Sequence, residues 1–295
     1  MHICSKGRLF LMATLFAVLS LTSCQGAQPG SESITSSGSS SSSLPSRGEY
    51  YNEENFIPGT KVITKTKLVT YEGPSLLKSS EKVNVVVNDI TLFVYETRVN
   101  HGRKFSWELP ETTNPYVIFD FEGKVHLDIT INADTLVTSA IVSPQVYGIV
   151  PSIEGNVISF DLEYNGNYVV EYNNNPDEAI HIFANPIETE TMSKEEADLD
   201  DKKIYVGPGV YNASAFPVSD GTQIYLAGGS YVYGNFKGEF CKDVKIFGRG
   251  IISGSIYNRR SEAEFKIPVE FNTCENVVIN DVAFMDPAGW TFAFI

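Results

Sequence analysis

The sequence predicts an all-β chain in two parts, an N-terminal antiparallel β-sandwich followed by a parallel β-solenoid. Three observations predict it. Apolar and polar residues alternate in short runs from about Lys61 to Ala184; after Ile204, very short apolar triplets recur between glycine-rich corners; and no useful length of chain carries a helical period. Composition agrees, since 18 Phe, 15 Tyr and an apolar share of 42% among 295 residues can bury a large core.

The first 24 residues read as a targeting segment. Lys6 and Arg8 precede an apolar run from Leu9 to Leu21, and Leu21-Thr22-Ser23-Cys24 follows. A basic start, a short apolar stretch and small residues describe a secretory signal, too short to span a bilayer as a helix. The Leu-Thr-Ser-Cys ending resembles the lipobox of bacterial lipoproteins, which implies Cys24 as the lipid attachment site. Residues 25–54, with the run Ser36-Ser37-Gly38-Ser39-Ser40-Ser41-Ser42-Ser43, have the composition of a tether. The expected location is therefore the cell envelope outside the cytoplasm, with the membrane reached only through the N-terminal lipid. With 36 acidic against 22 basic residues, the net charge of -14 and pI near 4.7 exclude a cationic surface for nucleic acid.

The sandwich is expected over residues 55–188. Its strands read at Val83–Val87, Ile90–Tyr95, Tyr116–Phe121, Val125–Ile131, Val157–Tyr164, Tyr168–Tyr172 and Ile180–Ala184, each bounded by Asn, Gly or Pro. His126 and His181 fall on the solvent side of alternating strands, His101 in a turn, and Trp107 reads as packing. No spacing of histidines or acids predicts a metal, and no cofactor is expected. Residues 189–203, with Glu195, Glu196, Asp198, Asp200 and Asp201, read as a solvated acidic connection.

From 204 to 295 the period changes. Ile204-Tyr205-Val206, Ile224-Tyr225-Leu226, Val244-Lys245-Ile246 and Val277-Val278-Ile279 each lead into a corner. Ile224 to Ile246 is 22 residues, and Ile246 to Ile279 is 33, another 22 with an 11-residue insertion placed at Asn258–Lys266. Such a period built from three-residue strands predicts stacked coils. Cys241-Lys-Asp-Val-Lys-Ile246 and Cys274-Glu-Asn-Val-Val-Ile279 repeat one phrase, so Cys241 and Cys274 should occupy equivalent places on consecutive coils, about 4.8 Å apart. They are either two stacked thiols or a disulfide. Ile251 and Phe284, five residues after Ile246 and Ile279, mark a second sheet.

Three phrases carry a family resemblance: Ile204-Tyr-Val-Gly-Pro-Gly-Val-Tyr211; Thr222-Gln-Ile-Tyr-Leu-Ala-Gly-Gly-Ser-Tyr-Val-Tyr-Gly234; and Val244-Lys-Ile-Phe-Gly-Arg-Gly-Ile-Ile-Ser-Gly254. Together they resemble the opening coils of right-handed β-helix glycoside hydrolases, namely the polygalacturonases of family 28 and the dextranases and isopullulanases of family 49. Ser253 stands where many of those enzymes have Asp. The sandwich ahead of the helix resembles family 49 in particular. The resemblance implies inverting hydrolysis of a polysaccharide, dextran-like glucan or pectin, by two carboxyls that stand ~6.5–9.5 Å apart to admit water. In the family those aspartates follow the segment that here reads Asp286-Pro-Ala-Gly-Trp-Thr-Phe292. The chain reads as an N-terminal fragment with its catalytic residues expected downstream of Ile295, and so without glycanase activity by itself. Asp286 and Trp290 are the substrate-binding candidates, set against a turn residue and a core residue of the coil. Asp281 reads as a solvated corner, and Glu262 and Glu264 as loop charge. The alternatives are a non-catalytic carbohydrate-binding or adhesin-like solenoid and, ranked last, a polysaccharide lyase, whose carboxylate cage for calcium the sequence does not cluster.

Overall fold

The computed structural model describes residues 66–99, 110–257 and 266–295, all within one compact unit. The signal and tether expected over residues 1–54, with Cys24, and the residues His101, Trp107, Glu262 and Glu264 lie outside the described residues.

The first part holds eleven described strands: β1 (Lys67–Thr70), β2 (Val83–Val87), β3 (Ile90–Thr91), β4 (Tyr95–Val99), β5 (Thr112–Glu122), β6 (Val125–Ile131), β7 (Ala140–Ser143), β8 (Ser152–Glu154), β9 (Val157–Leu162), β10 (Gly166–Tyr172) and β11 (Asn175–Asn185). They form two sheets, β1-β5-β11-β10-β7 with β4 also on β5, and β3-β2-β6-β9-β8. One core lies between them. Val85, Leu127, Ile129 and Ile158 face Val117, Phe119, Phe121, Val170 and Ile182, all at most 1% exposed. In β2 and β6 burial alternates with exposure, as a sheet wet on one side requires. Two-residue turns with both residues at positive φ, Asn88-Asp89 and Asn173-Asn174, close the β2–β3 and β10–β11 hairpins.

Strand β5 does not alternate. Asn114 through Phe121 are all buried, because the second face of this sheet is covered too. Its partner β11 runs parallel to it, His181 opposite Tyr116 through Asn185 opposite Asp120, so the sheet is mixed and not wholly antiparallel.

The stretch 189–203 is more ordered than a solvated connection. Ser193 and Glu196 form a capping box that starts a single helical turn, α1 (Lys194–Asp198). Met192 is buried beside Tyr225 and Phe247, and Lys245 pairs with Glu190. The segment therefore lies along one outer face of the coils.

The second part is a parallel β-helix: β12 (Lys203–Val206), β13 (Gly209–Val218), β14 (Gln223–Leu226), β15 (Ser230–Glu239), β16 (Lys242–Gly248), β17 (Ile251–Ser253), β18 (Val269–Asn272), β19 (Glu275–Asn280), β20 (Ala283–Met285) and β21 (Phe292–Phe294). Strands β12, β14, β16 and β19 stack as one face. The first half of β15 pairs with β17 and the second half with β18, and these pair with β20 and β21, making two further faces. Ile204, Ile224, Ile246 and Ile279 occupy one ladder as their spacing predicts. Ile224, Leu226, Val232, Ile246, Ile252 and Phe271 fill the interior. The predicted insertion falls between β17 and β18.

The second ladder is displaced by one residue from expectation: Phe284 stacks on Ile252, and Ile251 stacks on Ala283. The corner after β16 is one residue longer than the corner after β19. Arg249 N–H and Gly250 N–H both donate to the Leu226 carbonyl, at 2.8 and 2.9 Å, which is the signature of a bulge. Gly248 makes the corner possible, with φ of 118° and space so close that a Cβ would stand 2.2 Å from the Leu226 oxygen.

Candidate functional site

The outer face built from β15, β17 and β20 is not open to solvent. Tyr231, Ile251 and Met285 pack there against Tyr95, Tyr116 and Ile118 of the first part. The seam is aromatic: the Tyr95 ring stacks on Tyr116 at 5.1 Å and on Tyr231 at 6.2 Å, and Phe93 meets Tyr95 edge-on at 4.7 Å. Two carboxylates tie the seam at different corners of the coil, and their directions are opposite.

At the corner after β16 the carboxylate comes from the sheets. Asp120 of β5 is 1% exposed and accepts from Arg249 Nε with both oxygens, each at 2.9 Å. Arg249 Nη2 donates to the Pro186 carbonyl at 2.8 Å, and the Glu188 amide donates to Asp120 at 3.2 Å. The bulge explains the contact, since the extra residue turns the Arg249 side chain out of the coil and into the neighbouring sheet. Burial alone would lower the Arg249 pKa, but the Asp120 carboxylate outweighs it and the guanidinium is held firmly charged. Asp281 lies 3.3 Å from Nη1, close enough to attract it but out of line for a hydrogen bond, so Nη1 has no hydrogen-bond partner among the described residues. Tyr225 donates to Glu188 at 2.9 Å, and burial first of all raises the Glu188 pKa. The glycines of the corner before β15 admit the chain that leaves β1, for a Cβ on Gly228 would sit 2.0 Å from the Tyr71 ring.

At the corner after β20 the carboxylate comes from the coil. Asp286, at φ of 50°, accepts with Oδ1 from the Arg98 amide at 2.7 Å and from Thr97 Oγ1 at 2.8 Å, both on β4. Asp286 is thus a turn residue, and its charge is turned towards the seam. The charge adds to burial and to the neighbouring tyrosines in raising the pKa of Tyr116 well above the usual phenol value. The Tyr116 hydroxyl has no partner of hydrogen-bond geometry among the described residues.

Beside these tyrosines opens a cleft of about 390 Å³, within the ~300–1,000 Å³ range of small-ligand sites. Tyr95 and Tyr231 form its apolar wall, and Lys78, Ser79, Glu81 and Glu96 supply polar groups. Glu96 accepts from Ser80 at 2.6 Å and from Thr113 at 2.7 Å. Burial opposes its ionisation, but these hydrogen bonds and Lys82 prevail and hold its carboxyl below the usual range. Tyr95 and Tyr231 are both packed in the seam and only 6% exposed, so the cleft offers a ligand little aromatic face and chiefly its hydroxyl, ammonium and carboxylate groups for hydrogen bonding.

The other sequence candidates separate. Trp290 lies on the corner between β20 and β21 and is 73% exposed, so it is not the core residue of its coil. Asp281 is an exposed corner residue at φ of 65° that leans on Arg249. Cys241 and Cys274 stand together, Sγ to Sγ at 2.7 Å, on consecutive coils. His126 is on the outer face of β6, bonded to Asp161 at 2.7 Å, and His181 is half-buried, with its pKa lowered by burial. Among the described residues no group of three or more His, Cys, Asp and Glu is placed to hold a metal ion.

Sequence reasoning missed the seam, although two signals pointed to it. Asp120 is an acid between Phe119 and Phe121 in a buried run, which demands a partner. Arg249 is a cation between two glycines, in the stretch Ile246–Gly254 that is otherwise built of apolar and small residues.

No protein-family profile matches the chain, and no curated protein sequence matches it. Among solved structures, Dex49A from Penicillium minioluteum superposes with a TM-score of 0.52 at 16% identity, over 77% of this chain and 60% of that one. The chain thus spans about 60% of the length of that protein. At that identity the likeness establishes the fold: an all-β chain with a β-helix.

Proposed function

We propose that the chain belongs to an exported, lipid-anchored glycoside hydrolase of the β-helix type, and that it contacts a polysaccharide, a dextran-like glucan or pectin. The observation that carries the reading is the likeness to Dex49A, a dextranase of glycoside hydrolase family 49, taken together with the carbohydrate-like chemistry of the exposed groups. Trp290 offers an indole face to a sugar ring at a coil corner. The cleft of about 390 Å³ beside Tyr95 and Tyr231 offers hydroxyl and carboxylate groups to the edges of such a ring. The reaction would be inverting hydrolysis, with one carboxyl as acid and another activating water; no residue of this chain is assigned to either role. Lipid at Cys24 would hold the protein at the membrane. Among the described residues no helix is long and apolar enough to cross one.

A non-catalytic carbohydrate-binding solenoid is the second reading, favoured by Asp286, whose Oδ1 is occupied by the seam. Affinity electrophoresis through gels holding dextran, pullulan or polygalacturonate tests both, with reducing-end release measured in parallel. Retardation by one polymer is expected, weakened roughly tenfold in Trp290→Ala. Unretarded migration in all three overturns a polysaccharide ligand. Release of reducing ends from the retarding polymer supports the hydrolase, and retardation without release supports the binding solenoid.

A further inference from the structure

We infer that Cys241 and Cys274 are an oxidation site, and that a disulfide between them staples two consecutive coils of the β-helix. The argument starts from backbone. Phe240 and Thr273 have φ of 53° and 52°, and Asp243 and Asn276 have φ of 56° and 53°, so the phrase Cys-x-x-Val-x-Ile adopts one conformation twice. Lys242 pairs with Glu275 and Val244 with Val277, which puts the two cysteines on adjacent rungs of a parallel ladder. Adjacent rungs are about 4.8 Å apart, inside the Cα separation of about 4.4–6.8 Å that a disulfide spans. Identical backbone at both rungs aims the two Cβ atoms the same way, and the side chains bring the two sulfurs to 2.7 Å.

The side chains are placed accordingly. Cys241 is buried against the coil interior, and Cys274 packs half-buried against the same cluster. The Cys241 amide donates to Cys274 Sγ at 3.3 Å, which fixes that sulfur over its neighbour. Cys274 is the more open of the two and meets the oxidant first, while burial and the adjoining sulfur push the Cys241 thiol up. The oxidant is a small or protein disulfide. Cys274 loses its proton, attacks one sulfur of that disulfide and expels the other as a thiol. Cys241 then displaces the remaining sulfur from Cys274. Two protein thiols give up two protons and two electrons, and the oxidant leaves as two thiols.

The consequence is mechanical. The bond closes the chain from Cys241 to Cys274, a span that contains the insertion expected from the sequence at Asn258–Lys266, and so constrains the unfolded chain over that span. The inference does not depend on the polysaccharide reading, because the oxidation is performed on the purified protein.

The test treats the full chain with oxidised glutathione, alkylates any free thiol in denaturant and maps tryptic peptides, which separates this pair from Cys4 and Cys24. Linked peptides carrying Cys241 and Cys274 are expected. The oxidised protein should melt roughly 10 °C above the reduced one, and Cys241→Ser and Cys274→Ser should each melt at one temperature in both conditions. Alkylated Cys241 and Cys274 after oxidation, or glutathione retained on Cys274 with Cys241 alkylated, would overturn the inference.

Discussion

The two carboxylates that tie the seam make the same kind of connection by unlike means. Asp120 and Arg249 are a charge pair taken wholly out of water, 1% and 2% exposed. Asp286 is a half-buried charge that accepts from one amide and one hydroxyl. A buried pair has little net worth against an apolar pair of the same shape, yet loss of one member strands the other. The amide and hydroxyl that Asp286 accepts from lie nearer solvent and water can replace it there, so its loss is cheaper. The Asp120–Arg249 tie therefore enforces which surfaces meet, while the Asp286 tie trims the fit of one strand.

That contrast sets an order of effects. Arg249→Met leaves Asp120 buried and unpaired and should lower unfolding stability by about 3–5 kcal/mol in urea titration. Ile246→Ala, within the coil interior, provides the apolar scale and should cost about 2–4 kcal/mol by the same titration. Asp286→Asn keeps a residue tolerant of positive φ and keeps an acceptor but loses its charge, for a cost of about 1–2 kcal/mol. If Asp286→Asn costs as much as Arg249→Met, the two ties are not different in kind.

The smallest effect lies away from the seam. The Asp161 hydrogen bond, opposed by partial burial and helped by the Asp128 charge, raises the His126 pKa above its usual 6.5. A raised folded pKa stabilises fully below the unfolded value and is lost as pH rises through the folded one. Stability should thus fall slightly from pH 6 towards pH 8, and His126→Gln should remove that slope in paired denaturation curves. His126 is half exposed, so solvent screens the pair and keeps the effect small.

The interiors were legible because their signals are local. Ile204, Ile224, Ile246 and Ile279 announce one ladder through spacing alone, and the β2 and β6 alternation announces a one-sided sheet. Strand β5 was under-read, as Tyr116–Phe121 only, because a strand covered on both faces has no alternation to detect. Residue spacing could not reveal the seam, since Asp120 and Arg249 are 129 positions apart and Thr97 and Asp286 are 189 apart. The single-residue displacement at Phe284 has the same origin: the bulge at Arg249 serves a contact with distant chain, so nothing in the coil repeat foretells it. Of the binding candidates, Asp286 is a turn residue, as the proline that follows it suggests. The exposure of Trp290 depends on a corner whose direction the period does not specify.

A double-mutant cycle on Asp120→Asn, Arg249→Met and their combination, read by urea unfolding, measures the coupling across the seam. An interaction energy of about 2–3 kcal/mol is expected, with the double variant more stable than the Arg249→Met single. Costs that add to within about 0.5 kcal/mol would show that the pair does not hold the sheets to the coils.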